Sequence, residues 1–406
     1  MTSFDHSPTS TVWRALLALT VVFVMLAMTG WTAVRHPGGP RDALAAEQAG
    51  WSKATIGARE VPEADAPPHE LTAFFASISP SRRAALADEF PHVVGNLNGA
   101  PVALRYRANR TALANSFAAE HKRVDDPHLT AAGHRAAVRR MDRFQALMSE
   151  DRQILAFDPS GSGRVAEVFG DLDRAQRVSV IVPGVDTNLL TFQRSARKYS
   201  APVGMAQSLY AAQRAAAPRV RTAVIAWADY TSPVGVGVES AIGRLAENGA
   251  VRLTALTKSL PGDSKVALFC HSYGSVVCGV AASRLPDRVE DVAVAGSPGM
   301  RAENVAGLHT RARVWAMRDS DDWIQDVPHM AVGGLGHGED PVTPEFGARL
   351  LSAAGAIGHG GYFEPGTESV DNFAEIGLGW YAGVSCAGNN DACRRGIYGA
   401  EADGRA

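Results

Sequence analysis

Residues 264–275 read Ser-Lys-Val-Ala-Leu-Phe-Cys-His-Ser-Tyr-Gly-Ser. The apolar run Val266–Phe269 stops at Cys270-His271-Ser272-Tyr273-Gly274, and small apolar residues resume from Ser275 to Ala282. This is a strand, a tight turn and a helix, with Ser272 at the apex. Such a turn strains the serine and exposes its hydroxyl, and the helix behind it offers unpaired N–H groups to a developing oxyanion. Gly274 removes a side chain where helix and strand meet. Cys270 stands where a nucleophile elbow of the form G-x-S-x-G has its first glycine; cysteine is small enough to keep the turn. The alternative is an ordinary strand–helix connection with an exposed serine.

Outward from the elbow, short apolar runs alternate with helical patterns. Strands are expected at Gln153–Phe157 and Arg164–Phe169, joined by a Pro159–Gly163 hairpin, and at Val178–Val182, Thr222–Trp227, Val289–Ala295 and Arg313–Met317. Helices are expected at Val203–Ala216, Val238–Leu260, Pro344–Ala354 and Ser369–Tyr381. Buried strands alternating with helices predict an α/β fold, a mostly parallel sheet covered on both faces with the elbow strand central. Residues 71–151 read as a helical N-terminal region, with Ser79 capping a helix that opens on Pro80. Residues 152–385 read as the catalytic domain and 386–406 as a tail.

The net charge of −2 gives no electrostatic case for nucleic acid. From Ala15 to Val34 no residue is charged, and 20 residues of helix span about 30 Å, the thickness of a hydrocarbon core. Residues 1–35 are therefore expected to be a transmembrane anchor or a cleaved signal, tying an extracytoplasmic domain to the membrane or releasing it; 36–70 read as a linker. Cys386 and Cys393 enclose a short polar loop and read as a disulfide of an oxidising compartment. Cys270 and Cys278 read as small buried residues; Cys278 lies one helical turn past Gly274 on the same face, which leaves a second disulfide open.

A serine hydroxyl needs an imidazole to take its proton and a carboxylate to orient that imidazole. Chain order in an elbow enzyme is serine, acid, histidine. The acid falls in Arg318-Asp319-Ser320-Asp321-Asp322 after the Arg313–Met317 strand. Asp322 is preferred because Trp323-Ile324 would fix its loop, with Asp319 as runner-up. Of the later histidines His329, His337 and His359, the last lies on a small-residue loop before the final helix and best fits the base. Oxyanion donors are expected from the backbone N–H groups of Tyr273 and Val185. Asp186 beside them would oppose a negative charge unless it points away. Phe192, Tyr199, Trp227 and Tyr230 read mainly as core, with a pocket role open.

The chain resembles an actinobacterial alpha/beta-hydrolase family classified as a domain of unknown function. Phe90–Pro101, Arg107–Arg110, Leu155–Pro159, Val182-Pro183-Gly184, His271–Ser275, Gly296–Gly299 and His359–Tyr362 carry the likeness across most of residues 70–385. It implies an α/β-hydrolase fold with a helical N-terminal region, Ser272 as nucleophile, Asp322 as acid and His359 as base. Cys270 and Asp186 depart from the family pattern. The expected activity is that of a serine esterase acting on a small-molecule or lipid ester through an acyl-enzyme, with no metal or organic cofactor needed. Acyl transfer at the cell envelope and a non-catalytic binding module are the alternatives. Oligomeric state is not legible.

Overall fold

The computed structural model describes residues 40–397 except 330, 333 and 334. The apolar run Ala15–Val34, expected as an anchor or signal, lies outside the described residues; among these, no helix is long and apolar enough to cross a membrane.

The centre is an eight-stranded sheet. Its strands are β1 (Gln153–Asp158), β2 (Arg164–Gly170), β3 (Arg177–Val182), β4 (Thr222–Ala228), β5 (Lys265–His271), β6 (Val289–Ala295), β7 (Arg313–Met317) and β8 (Arg349–Leu350). The spatial order is β8-β7-β6-β5-β3-β4-β2-β1. β1, β2 and β4 pair antiparallel and all other neighbours pair parallel. β5 is interior, in register with β3 (Val182 opposite Cys270) and with β6 (His271 opposite Ala295). Its side chains are buried on both faces, as the continuous apolar run requires.

Helices α7 (Pro202–Ala216) and α11 (Glu368–Leu378) cover one face, and α9 (Arg244–Ser259) and α10 (Tyr273–Ala281) the other. After β4 the chain crosses over β3 to form β5. The connections from β3 and β5 therefore leave toward opposite faces, opening a crevice at their carboxyl ends, where doubly wound sheets bind ligands. Gly274 is required by packing: a Cβ there would lie 2.1 Å from the carbonyl oxygen of Val182.

Two expected helices are corrected. Pro344–Ala354 contains no helix; Gly347 turns the chain at φ 80° and Arg349–Leu350 adds to the sheet edge opposite Trp315 and Ala316. Val238–Leu260 is broken at Ile242-Gly243, separating α8 (Val238–Ala241) from α9, where Ile242 leaves helical geometry to bridge Leu335.

The N-terminal region comprises α1 (Pro40–Trp51), α2 (Pro68–Ser77), α3 (Pro80–Glu89), α4 (Pro91–Val94), α5 (Val102–Val124) and α6 (Ala131–Leu147). Within the stretch read as linker, α1 is folded and docked: Trp51 is buried edge-on against Phe90, and Glu47 bonds the ring of His92 at 2.6 Å. This region covers β1, the edge of the sheet. Asn96 donates to the Phe157 carbonyl (2.7 Å) and accepts from its N–H (3.0 Å), and Asn109 donates to the Ile154 carbonyl (3.0 Å). Side-chain amides thus stand in for a ninth strand and satisfy groups an open edge would leave bare.

Candidate active site

Ser272 sits between the last residue of β5 and the first of α10 with φ 54° and ψ −129°. A non-glycine residue there costs about 1–3 kcal/mol and persists only where its surroundings enforce it. Here the Ser272 N–H donates to the Ala295 carbonyl (3.0 Å), and the buried Ser275 hydroxyl donates to the Ser272 carbonyl (2.6 Å). Cys270 and Cys278 are joined by a disulfide that ties the end of β5 to α10 across the elbow. The sequence favours two small buried residues here and leaves a crosslink open; both are buried, and they are bonded.

The structure brings Ser272, His359 and Asp322 together. His359 Nε2 lies 2.8 Å from Ser272 Oγ, and His359 Nδ1 lies 2.8 Å from Asp322 Oδ1. Asp322 is fully buried and also receives the Ile324 N–H (2.9 Å) and the Tyr362 hydroxyl (2.5 Å). Burial alone would raise its pKa. The hydrogen bonds from His359, Tyr362 and the backbone outweigh that and hold it below the ordinary carboxylate range. Gly296, at φ 56°, lets the imidazole and carboxylate close up; a Cβ there would lie 2.7 Å from Asp322 Oδ2 and 3.1 Å from His359 Nδ1.

Asp319 does not touch the imidazole. Its Oδ2 accepts the Gly358 N–H at 2.7 Å and so fixes the loop on which His359 sits. His329 points to the Ser297 carbonyl (3.3 Å), away from the triad. Cys386 and Cys393 form a disulfide beside β8, where Leu351 bridges Cys386.

Tyr273 and Val185, the residues expected to supply oxyanion donors, both line the cavity with Ser272. Tyr273 is the first residue of α10, so its N–H has no intrahelical acceptor. Gly184 packs so closely that a Cβ would come 2.9 Å from Ser272 Oγ, and Val185 follows it into the same cavity. Asp186 turns away from the cavity, with φ 57°, and accepts the Gly235 N–H at 2.9 Å. The Tyr230 hydroxyl donates to the Pro183 carbonyl at 2.6 Å and anchors this loop; Phe192, Trp227 and Tyr230 are buried, and neither they nor the half-buried Tyr199 line the cavity.

Three further residues complete the site. His271 is buried, and its Nε2–H donates to the His359 carbonyl at 2.6 Å. Burial, then the neighbouring His359 ring, push its pKa down to about 3, so it is neutral. Tyr362, buried, joins the Asp319 backbone N–H (3.0 Å) to the Asp322 carboxylate. His337 lines the cavity and donates from Nε2 to the Ser240 carbonyl (2.6 Å). No periodicity marks these residues; only the quoted His271–Ser275 and His359–Tyr362 segments contain two of them.

The cavity over Ser272 has a volume of about 450 Å³. Its walls are largely apolar, and Val185, Val236, Pro298, Trp323, Ile324 and Leu335 are among the lining residues. Trp323 also rests on the His359 ring, centroids 4.6 Å apart.

A family model described as alpha/beta hydrolase matches residues 158–332, from the end of β1 past Ser272 and Asp322. The fold is that of an alpha/beta hydrolase. The chain is similar to the uncharacterized proteins MT2140 and Rv2079 of Mycobacterium tuberculosis, each 26% identical over 368 residues, covering 76% of this chain and 55% of theirs. The chain thus spans about half the length of the curated relatives it matches. Among solved structures it is similar to dienelactone hydrolase from Anabaena variabilis (18% identity, 55% of this chain and 93% of that one, TM-score 0.34). It is also similar to naproxen esterase from Bacillus subtilis (15% identity, 43% and 52%, TM-score 0.25).

Proposed function

We propose that this alpha/beta hydrolase is a serine esterase, a carboxylesterase or lipase-like enzyme working through an acyl-enzyme. The observation that carries the reading is the unbroken hydrogen-bonded series from Ser272 Oγ through His359 to Asp322, seated on a strained elbow at the mouth of an apolar cavity. Ser272 Oγ attacks the ester carbonyl while His359 Nε2 takes its proton. Asp322 stabilises the resulting imidazolium, and the N–H groups of Tyr273 and Val185 receive the oxyanion. The carbon–oxygen bond to the alcohol breaks as His359 returns the proton to the leaving oxygen. Water, deprotonated by the same imidazole, then releases the acid and restores the serine. Two disulfides agree with a domain working outside the cytoplasm, held to a membrane by the apolar run at 15–34 or released from it.

Reaction with a fluorophosphonate probe tests this. Ser272 labels in the wild-type chain and not in Ser272→Ala, and chromogenic esters of increasing acyl length are turned over. A folded protein that neither labels nor turns over any ester is a binding module instead. Products captured on added glycerol or sugar, in place of free acid, would mean acyl transfer.

A further inference from the structure

Large apolar side chains are rare on this surface, and their distribution is uneven. Among the described residues eight are exposed; Val236, Trp323 and Leu335 line the Ser272 cavity, and Val234, Val238 and Ile242 lie within two residues of others that do. Val234, Val236, Val238 and Ile242 lie on one segment, Trp323 and Leu335 flank the opposite wall, and Ile357 sits two residues before His359. The first two groups are connected: Ile242 bridges Leu335, and Val236, Trp323 and Leu335 line the one cavity. Val234, Val236 and Val238 are 67–80% exposed, far beyond what packing against their own loop requires. A contiguous apolar patch on a folded domain marks a contact surface.

What covers it is indicated by the other end of the chain. β1 runs antiparallel to β2, and β2 antiparallel to β4, so the turn after β1 lies at the same end of the sheet as the carboxyl ends of β4 and β5. Leu44, Ala45 and Gln48 of α1 border a hollow shared with that turn (Ser160–Arg164) and with Thr231, three residues before Val234. The chain therefore enters the domain at the active-site end. The run Ala15–Val34, long enough for a bilayer, precedes that point closely in sequence.

We propose that the apolar rim is a lipid-surface docking face and that the substrate is a lipid ester drawn from the bilayer into the Ser272 cavity. The substrate half rests on the esterase reading; the docking half does not. The rim sinks its valines and Trp323 into the acyl–headgroup boundary, and the cavity floor continues that apolar surface to the hydroxyl. An acyl chain then moves from bilayer to cavity without crossing water.

The test uses the full chain bearing Ser272→Ala, so that binding is read without turnover. All four native cysteines are paired, so Val238→Cys supplies one free thiol for an environment-sensitive fluorophore, and Val251→Cys supplies the control. With neutral phosphatidylcholine vesicles, the probe at 238 shifts to the blue and is quenched by a lipid-borne quencher, while the probe at 251 stays in water. Vesicle-bound protein with neither probe quenched, or both equally, overturns the proposal. So does a probe at 238 already shielded before vesicles are added, which would assign the patch to a second copy or to the chain's own apolar run. With active enzyme, Val234→Glu combined with Val238→Glu lowers the ratio of vesicle-borne to soluble ester turnover at least tenfold. An unchanged ratio counts against it. Wild-type protein inert on both esters would remove the esterase reading and leave the fluorophore to decide the docking face.

Discussion

His271 donates from its ring to the backbone carbonyl of His359 at 2.6 Å, so the residue before Ser272 holds the loop that carries the His359 imidazole. Serine and imidazole are thereby positioned from one strand end, β5, although 87 residues separate them in sequence. His271 reaches no reacting atom; it is a positioning residue.

Replacing it should therefore affect rate more than binding. His271→Leu removes the donor, and kcat for a short soluble ester falls about 10–100-fold with little change in KM, the scale on which small misplacements of a catalytic group are felt. His271→Gln, which can still present an N–H to the carbonyl, recovers part of the loss. Steady-state kinetics on the three proteins checks this, and equal kcat in all of them would remove the role.

The same burial makes stability depend on pH. Folded His271 has a pKa near 3 against an ordinary value of 6.5. Between those values the unfolded chain binds the extra proton, so stability is full above about pH 6.5 and falls as pH drops toward 3. His337, also lowered by burial, acts in the same direction. Melting temperatures between pH 7.5 and 4.5 should fall less in His271→Leu than in wild type; parallel curves would contradict this.

Asp322 and Asp319 can be separated by kinetics. Asp322→Asn leaves His359 with an amide partner and should lower kcat by about 10⁴-fold. Asp319→Asn keeps an oxygen able to accept the Gly358 N–H and should cost tenfold or less. The reverse ranking would transfer the acid's role to Asp319.

The disulfide across the elbow closes a short loop, eight residues apart in sequence. By the chain-entropy relation such a crosslink contributes about 2–3 kcal/mol. Cys270→Ala combined with Cys278→Ala should lower the melting temperature while Ser272 still labels, because its backbone is also held by Ala295 and Ser275. Loss of labelling in a folded double variant would show that the crosslink itself sets the elbow.

The sheet was legible because its strands are buried on both faces and so appear as unbroken apolar runs; each main strand fell within a residue or two of its expected place. The grouping of Ser272, His359 and Asp322 was legible through chain order, which left few acids and histidines downstream of Ser272. Residues acting through tertiary contact were not. Nothing local distinguishes His271, whose partner is a backbone carbonyl, or Tyr362, whose hydroxyl reaches a carboxylate 40 positions away. Arg349–Leu350 failed as a helix for the same reason: pairing with β7 outweighs the helix preference of Ala348, Arg349 and Leu350. The break at Ile242 likewise depends on Leu335, far along the chain.

The amides of Asn96 and Asn109 on β1 bear on where this protein can be cut. A fragment trimmed to the family-matched segment would begin at Asp158, discarding β1 and the helices that cover it. The newly bared margin of β2 would then present unpaired N–H and C=O groups to any neighbouring molecule, inviting strand-to-strand aggregation in the test tube. Expression work should keep the helices from α1 onward, since they act as the lateral seal of the sheet.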